Sequence, residues 1–192
     1  MQTIVIAGAG LAGLTTAESL RKAGFDGTIT LVGAESHPPY ERPPLSKEVL
    51  TGQGSGRSLA LRSDPELAAL DLDLRLGVRA VALRPAERAV ELSDGTAPTA
   101  DGVVIATGAR ARRPGTDLPG LHVLRTLDDA EALRADLLRH RRAVVIGAGF
   151  VGAEVAAGAR SLGAEVTLLE AAAAPLTRVV DPRIGSVLAE LH

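Results

Sequence analysis

Residues 3–13 read TIVIAGAGLAG, a β-branched run that breaks into three glycines at Gly8, Gly10 and Gly13. The order predicts a strand over residues 3–7, a tight turn, and a helix from Leu11 to about Lys22 that stops at Gly24. An unbroken apolar strand of this kind belongs in a parallel sheet covered on both faces. Thr28–Val32, TITLV, reads as the second strand. The G-x-G-x-x-G spacing is weak alone, but between a strand and a helix it acquires a mechanism. The glycines allow a tight turn, close approach of backbone to a pyrophosphate, and close packing of helix on strand. The helix N-terminus then offers its N–H groups to the phosphates.

The same unit occurs again. Residues 143–152 read AVVIGAGFVG, with glycines at 147, 149 and 152, followed by a helix to about Leu162 and a strand ending EVTLLE at Glu170. Two such units imply two dinucleotides, and an enzyme that holds both passes a hydride between them. The acidic residue that should grip a ribose differs between the repeats. Glu170 stands roughly 20 residues past the second glycine turn, where a carboxylate accepts ribose hydroxyls. Alignment of the repeats puts Gly33 at that place in the first, and the nearest carboxylate is Glu35, a ribose ligand or a solvated loop charge.

Composition narrows the class. The 192 residues are 46% hydrophobic and 23% charged with a net charge of −2, which suits one large or two small globular domains and provides no basic field for nucleic acid. No stretch has the length of a membrane span free of charge. The opening MQTIVIAGAG has neither a cationic lead nor a cleavage pattern, so it is expected to be the first strand of a cytoplasmic protein. There are no cysteines, which removes disulfides, thiolate metal sites and a redox-active cysteine pair from this chain. His37, His122, His140 and His192 lack ligand spacing, so no metal site is expected.

Between the repeats, YERPPLSK at residues 40–47 places Arg42 and Lys47 around a Pro-Pro pair. Proline stiffness predicts Arg42 and Pro43 extended, with a helix able to start at Leu45-Ser46. The bland reading is a surface turn with solvated charges. TGQGSGRS at residues 51–58 reads as a flexible connection. Asp64–Leu70 predicts a short helix; Leu72–Leu76, Arg79–Leu83 and Ala89–Leu92 predict short strands; Val103–Ala106 predicts another buried strand running into Thr107-Gly108. Arg112–Pro119 is the expected interdomain crossing, and Leu127–His140 an amphipathic helix.

GAGLAG, YERPPLSKEVL, LSDG, VVIATGA, LHVLRTLDDAEALRADL, AVVIGAGFVGAEVAA and LGAEVTLLEAA, in that order, resemble the N-terminal half of the NADH-dependent ferredoxin and rubredoxin reductases. These are FAD flavoproteins serving oxygenase and P450 systems. The resemblance implies an α/β fold of tandem Rossmann-type dinucleotide-binding domains, each a three-layer ββα arrangement, truncated at the C-terminus. Residues 1–113 would be the first part of the FAD domain and 114–192 the first part of the NAD domain. RPPLSK with LRTLDDA distinguishes this branch from the disulfide reductases.

Position by position, the resemblance places Gly8, Gly10, Ala12 and Gly13 at the FAD pyrophosphate. Ala34 falls at the usual acidic FAD position, a departure that leaves Glu35 as substitute. Ala80 matches a backbone contact on the adenine side, or is a plain strand alanine. Thr107 and Gly108 match a turn packed on FAD. Arg42 and Arg125 match FAD-contacting arginines, Arg125 with the alternative of a surface arginine. Gly147, Gly149, Phe150, Gly152 and Glu170 match the NAD site, with NADH preferred over NADPH. Lys47 would point toward the flavin N5/O4 edge, and Glu154 resembles the glutamate that pairs with it. A first-turn helix carboxylate favoured by the helix dipole is the other reading of Glu154.

The expected partner is a ferredoxin- or rubredoxin-type carrier. Because family members continue beyond this point, a dimer or the missing C-terminal half is expected to complete the molecule. The alternative function is a non-catalytic nucleotide-binding fragment of such a reductase.

Overall fold

The computed structural model describes residues 2–54, 56–113, 115, 118–177 and 179–190. His192, and Pro114 of the expected crossing, therefore lie outside the described residues. The chain forms two compact units, one of Met1–Glu41 with Leu59–Arg110, the other of Arg42–Ser58 with Ala111–His192.

In the first unit, β1 (Thr3–Ala7), β2 (Thr28–Val32), β3 (Leu72–Arg75) and β6 (Gly102–Ile105) make a parallel sheet in the order β3-β2-β1-β6. Register pairs Ile4 with Ile29 and Gly102, and Ile6 with Leu31 and Val104. Strand side chains alternate between faces, so one run of sequence builds two cores. Ile4, Ile6, Ile29 and Leu31 pack with Ala17 of α1 (Leu11–Lys22) on one face. Val5 and Val32 pack on the other with Val90 and Leu92 of the antiparallel hairpin β4 (Ala80–Arg84) and β5 (Ala89–Leu92). Hairpin, parallel sheet and helix give this unit the three layers that the resemblance implies. Asp101 ties the start of β1 to this sheet by accepting the Gln2 and Thr3 N–H groups at 2.7 and 3.1 Å.

In the second unit, β7 (Arg142–Ile146) and β8 (Glu165–Leu169) pair in parallel around α5 (Phe150–Ser161). One core gathers Leu137 of α4 (Leu127–His140), Ala159 of α5, Ala164 and Leu50 of the short helix α2 (Glu48–Thr51). Helix α4 begins where the sequence predicts because Thr126 caps it. Its Oγ1 accepts the Asp129 N–H at 3.1 Å while Asp129 accepts the Thr126 N–H at 2.9 Å, a reciprocal box. The remaining helices are α3 (Asp64–Ala68), shorter than the sequence predicts, and α6 (Pro182–Glu190).

Two expectations are corrected. Arg42 is not extended: its backbone is helical (φ −87°, ψ −32°), because its carbonyl accepts the Leu45 N–H at 3.0 Å and opens a 3-10 turn over Pro43–Ser46. Residues 51–58 are also more than a linker. Gly52 closes α2 in the left-handed region (φ 82°), Gly54 N–H reaches the Glu48 carbonyl at 2.9 Å, and Gly56–Leu59 forms another 3-10 turn.

The sheet of the first unit is anchored at Leu31, which is fully buried. Leu31→Ala should cost about 2–5 kcal/mol in urea unfolding. Leu83→Ala, at a half-exposed strand position, should stay within about 0.5 kcal/mol.

Candidate functional site

The two glycine turns share one geometry. In the first unit Gly8 has φ +122°, and its N–H donates to the Val32 carbonyl at 2.8 Å. Helix α1 starts at Gly10, whose carbonyl accepts the Leu14 N–H at 3.0 Å. A Cβ on Gly13 would stand 1.8 Å from the Gly8 carbonyl oxygen, so the helix can lie on the turn only with glycine there. In the second unit Gly147 has φ +100°, its N–H donates to the Leu169 carbonyl at 2.7 Å, and a Cβ on Gly152 would stand 1.9 Å from the Gly147 oxygen. The first and third glycines of each turn are thus required by the fold.

The middle glycines are not. Gly10 and Gly149 have φ of −93° and −78°, open to any residue, and a Cβ on either meets nothing within 4 Å. No side chain caps either helix. Each twelve-residue helix therefore presents bare N–H donors in a cradle that a side chain would fill, which suits a pyrophosphate approaching the backbone. Ala12 lies in the exposed first turn of α1, and Phe150, 58% exposed, opens α5.

The acidic positions diverge as the sequence indicates. Glu170 turns back on its own glycine loop, one oxygen accepting the Ala148 N–H at 2.7 Å and the other the Ala172 N–H at 2.9 Å. At the matching place in the first unit, a Cβ on Gly33 would press on the Ala9 Cβ at 2.7 Å, so glycine is built into that corner. Ala34 is exposed, and Glu35 receives a hydrogen bond from the Tyr40 hydroxyl. Ala80 pairs with Leu92 in the hairpin. Thr107 and Gly108 follow β6 as an exposed turn, with Gly108 at φ 66°.

In the second unit the structure brings Lys47 and Glu154 together. Lys47 Nζ lies 3.0 Å from one Glu154 oxygen and 3.3 Å from the Pro43 carbonyl, and the Ser46 hydroxyl donates to the other Glu154 oxygen at 2.5 Å. Partial burial pushes the Glu154 carboxyl up, but the Ser46 and Lys47 hydrogen bonds and the Lys47 charge outweigh it, leaving Glu154 below its ordinary range. Glu154 is the fifth residue of α5 and outside its first turn, so the helix dipole does not account for it. Arg42 donates to the Arg125 carbonyl at 2.5 Å, and the buried Arg125 Nε has no hydrogen-bond partner among the described residues. An orphaned guanidinium nitrogen of this kind fits an anionic ligand group.

Residues 2–192 match the pyridine nucleotide-disulphide oxidoreductase family. The chain belongs to that family. It is 44% identical over 193 residues to rhodocoxin reductase of Rhodococcus erythropolis, covering 99% of this chain and 45% of that protein. It is 41% identical over 199 residues to putidaredoxin reductase CamA of Pseudomonas putida, covering 98% and 46%. Among solved structures it is similar to the ferredoxin reductase for the CYP199A2 system of Rhodopseudomonas palustris (TM-score 0.93, 42% identity, all of this chain and 48% of that one). It is also similar to the reductase of the covalent putidaredoxin reductase-putidaredoxin complex (TM-score 0.91, 40% identity, all of this chain and 47% of that one). The chain spans about half the length of the curated relatives it matches.

Although the family name refers to a disulphide, these 192 residues contain no cysteine. Two participants escape the sequence reading. Ser46 sits inside YERPPLSK, but nothing in the sequence marks its hydroxyl as a partner of Glu154, 108 residues away. Tyr40, in the same stretch, holds Glu35. Adjacency to the two cations was the one available signal.

Because the folded Glu154 carboxyl titrates below its unfolded value, its ion pair stabilises the protein above the unfolded pKa, and that contribution is lost as pH falls through the folded value. Lys47→Met should therefore lower the urea midpoint modestly at pH 7 and leave it unchanged in acid below the folded pKa. A difference that persisted in acid would locate the effect in lost packing.

Proposed function

We propose that the chain carries the dinucleotide-binding part of an FAD-dependent oxidoreductase that accepts hydride from NADH and passes electrons to a ferredoxin- or rubredoxin-type carrier for an oxygenase or P450. The observation that carries this reading is the pair of bare helix N-termini at Gly10 and Gly149, where glycine serves no need of the fold. Two such cradles suit two dinucleotides, and relatives named as ferredoxin--NAD(+) reductase components of the p-cumate, benzene and biphenyl dioxygenase systems support the assignment. Residues 1–113 are assigned to FAD and 114–192 to NADH.

Gly8, Gly10, Ala12 and Gly13 would hold the FAD pyrophosphate, with Glu35 at the ribose and Ala34, Ala80, Thr107, Gly108, Arg42 and Arg125 contributing further contacts. Gly147, Gly149, Phe150 and Gly152 would hold the NADH pyrophosphate, with Glu170 at its ribose. Bound FAD supplies the conversion of a two-electron hydride donor into single electrons for the carrier. Lys47 supplies a positive charge that favours electron density on the flavin, and Glu154 keeps that ammonium from swinging into solvent. No helix among the described residues is long and apolar enough to cross a membrane, and the proposed location is the cytoplasm.

Titrating the purified chain with NADH while following nucleotide fluorescence tests the cradle. Gly149→Val should weaken NADH binding at least roughly tenfold with little change in the unfolding midpoint, since its side chain enters open space that a ligand needs. Gly152→Val should instead destabilise the fold. Equal affinity in native and Gly149→Val proteins would remove the turn from nucleotide binding. Glu170 repels a 2′-phosphate, so native protein should prefer NADH, and Glu170→Ala should narrow the preference over NADPH by roughly tenfold or more in the same titration. Anaerobic NADH bleaching of FAD-loaded protein distinguishes a reductase from a nucleotide-binding fragment, which would bind NADH and leave the flavin oxidised.

A further inference from the structure

Consecutive residues Ser46 and Lys47 each take one oxygen of the Glu154 carboxylate, at 2.5 and 3.0 Å. The division of labour follows from their surroundings. Ser46 is 5% exposed at the end of the 3-10 turn, whereas the Lys47 side chain is 48% exposed and carries a flexible stem. The serine hydroxyl has one proton to give. The Pro43 carbonyl lies 3.4 Å away and Glu154 2.5 Å, so the carboxylate is the acceptor that matters. The helix is set for this contact by Gly158, one turn beyond Glu154 on α5. A Cβ there would stand 3.0 Å from Leu50 Cδ2 and 3.7 Å from the Ser46 carbonyl oxygen, so glycine lets α5 approach the turn.

We propose that Ser46 is a positioning residue: its buried hydroxyl fixes one oxygen of Glu154 so that the other holds the Lys47 ammonium at a defined point, at a helix–turn separation set by Gly158. The inference rests on the reading of Lys47 and Glu154 as the working pair of the reductase and deepens it. With Ser46 removed, Glu154 keeps only a contact to an exposed, mobile ammonium, and one of its oxygens loses its donor in a partly buried place. The carboxylate then turns, and Lys47 is free to fall back on the Pro43 carbonyl, already 3.3 Å from its Nζ. Among the described residues, Lys47, which joins the 3-10 turn to α2, is the charged group that acts on the Glu154 titration, so loss of the serine donor should be legible there.

The test is a carbon-13 NMR titration of the Glu154 carboxyl in the 192-residue chain without nucleotide, for native protein, Ser46→Ala, Ser46→Thr and Gly158→Ala, with the Glu154 resonance assigned by its loss in Glu154→Gln. Ser46→Ala should move the titration upward, Ser46→Thr should hold it near the native position because the hydroxyl is kept, and Gly158→Ala should move it upward by separating helix and turn. A Ser46→Ala titration that superposes on native overturns the proposal; should that variant not fold, native-like titration in Gly158→Ala does so. Stopped-flow reduction of FAD-loaded protein by NADH is the second readout. Ser46→Ala should slow it about tenfold, the rate equivalent of one lost charge-assisted hydrogen bond, at an unchanged NADH dissociation constant. An upward-shifted titration with an unchanged rate upholds the hold of Ser46 on Glu154 and rejects instead the role given to the Lys47–Glu154 pair.

Discussion

The steric contact between the third glycine of each turn and the carbonyl of the first governs the rest of each unit. With 1.8 and 1.9 Å between a hypothetical Cβ and that oxygen, no other residue lets the helix begin directly over the strand end. Once the helix lies there, its buried face joins the core: Ala17 of α1 packs with Ile4, Ile6, Ile29 and Leu31 in one unit, and Ala159 of α5 lies in the core that Ala143 and Val166 of the strands pack against in the other. The returning strand then closes the turn through the N–H of the first glycine. A bare helix N-terminus at the strand's carboxyl end is a by-product of this packing, and the middle glycine keeps it open. The fold and the proposed ligand cradle thus share one cause, and they separate only at Gly10 and Gly149.

How far the sequence could be read follows from the range of each interaction. The strands, α1, α4 and α5 were legible because apolar runs, helical amphipathicity and glycine stops act within a few residues. Short strands near β4 and β5 were legible, whereas nothing local shows that they pair across Pro85–Arg88 or that Val90 and Leu92 cover the face opposite α1. Arg42 was misread because the bias of a proline on its predecessor is a preference of a kcal/mol or so, overridden when the Leu45 N–H finds the Arg42 carbonyl. The grouping of Arg42–Ser58 with the second unit had no local signal at all, since Arg42 finds Arg125 83 residues later in the chain.

The candidate site divides along the same line. Glycines and the Glu170 carboxylate announce themselves by spacing, because backbone geometry and ligand chemistry act there on neighbouring residues. Glu35 was reached through alignment of the repeats, and its Tyr40 partner was not, since one tyrosine in a polar loop has many equivalent readings. The departure at Gly33 has a steric basis: the corner over Ala9 that holds Glu170 beside Ala148 in the second unit leaves no space for a Cβ in the first. The next carboxylate along the chain is Glu35.

The YERPPLSK stretch shows why two cations could be presented from an unremarkable loop. Its prolines do not extend it; they start a 3-10 turn that carries Leu45 and Ser46 inward, and α2 follows with Val49 and Leu50. Leu45, Val49 and Leu50 are 3%, 3% and 0% exposed. Burial of such side chains is worth about 1.5–3 kcal/mol each, several times what a half-exposed ion pair contributes. Apolar anchors therefore fix the backbone on both sides of Ser46 and Lys47, and the ion pair with Glu154 need only choose a side-chain rotamer on a frame already set. Leu50 reaches the core formed by Leu137, Ala159 and Ala164, and Ala159 lies on the same helix as Glu154. The hydrophobic contact that holds this segment in the second unit is thus also what brings the lysine to its carboxylate, so packing and site geometry cannot be altered independently at this point.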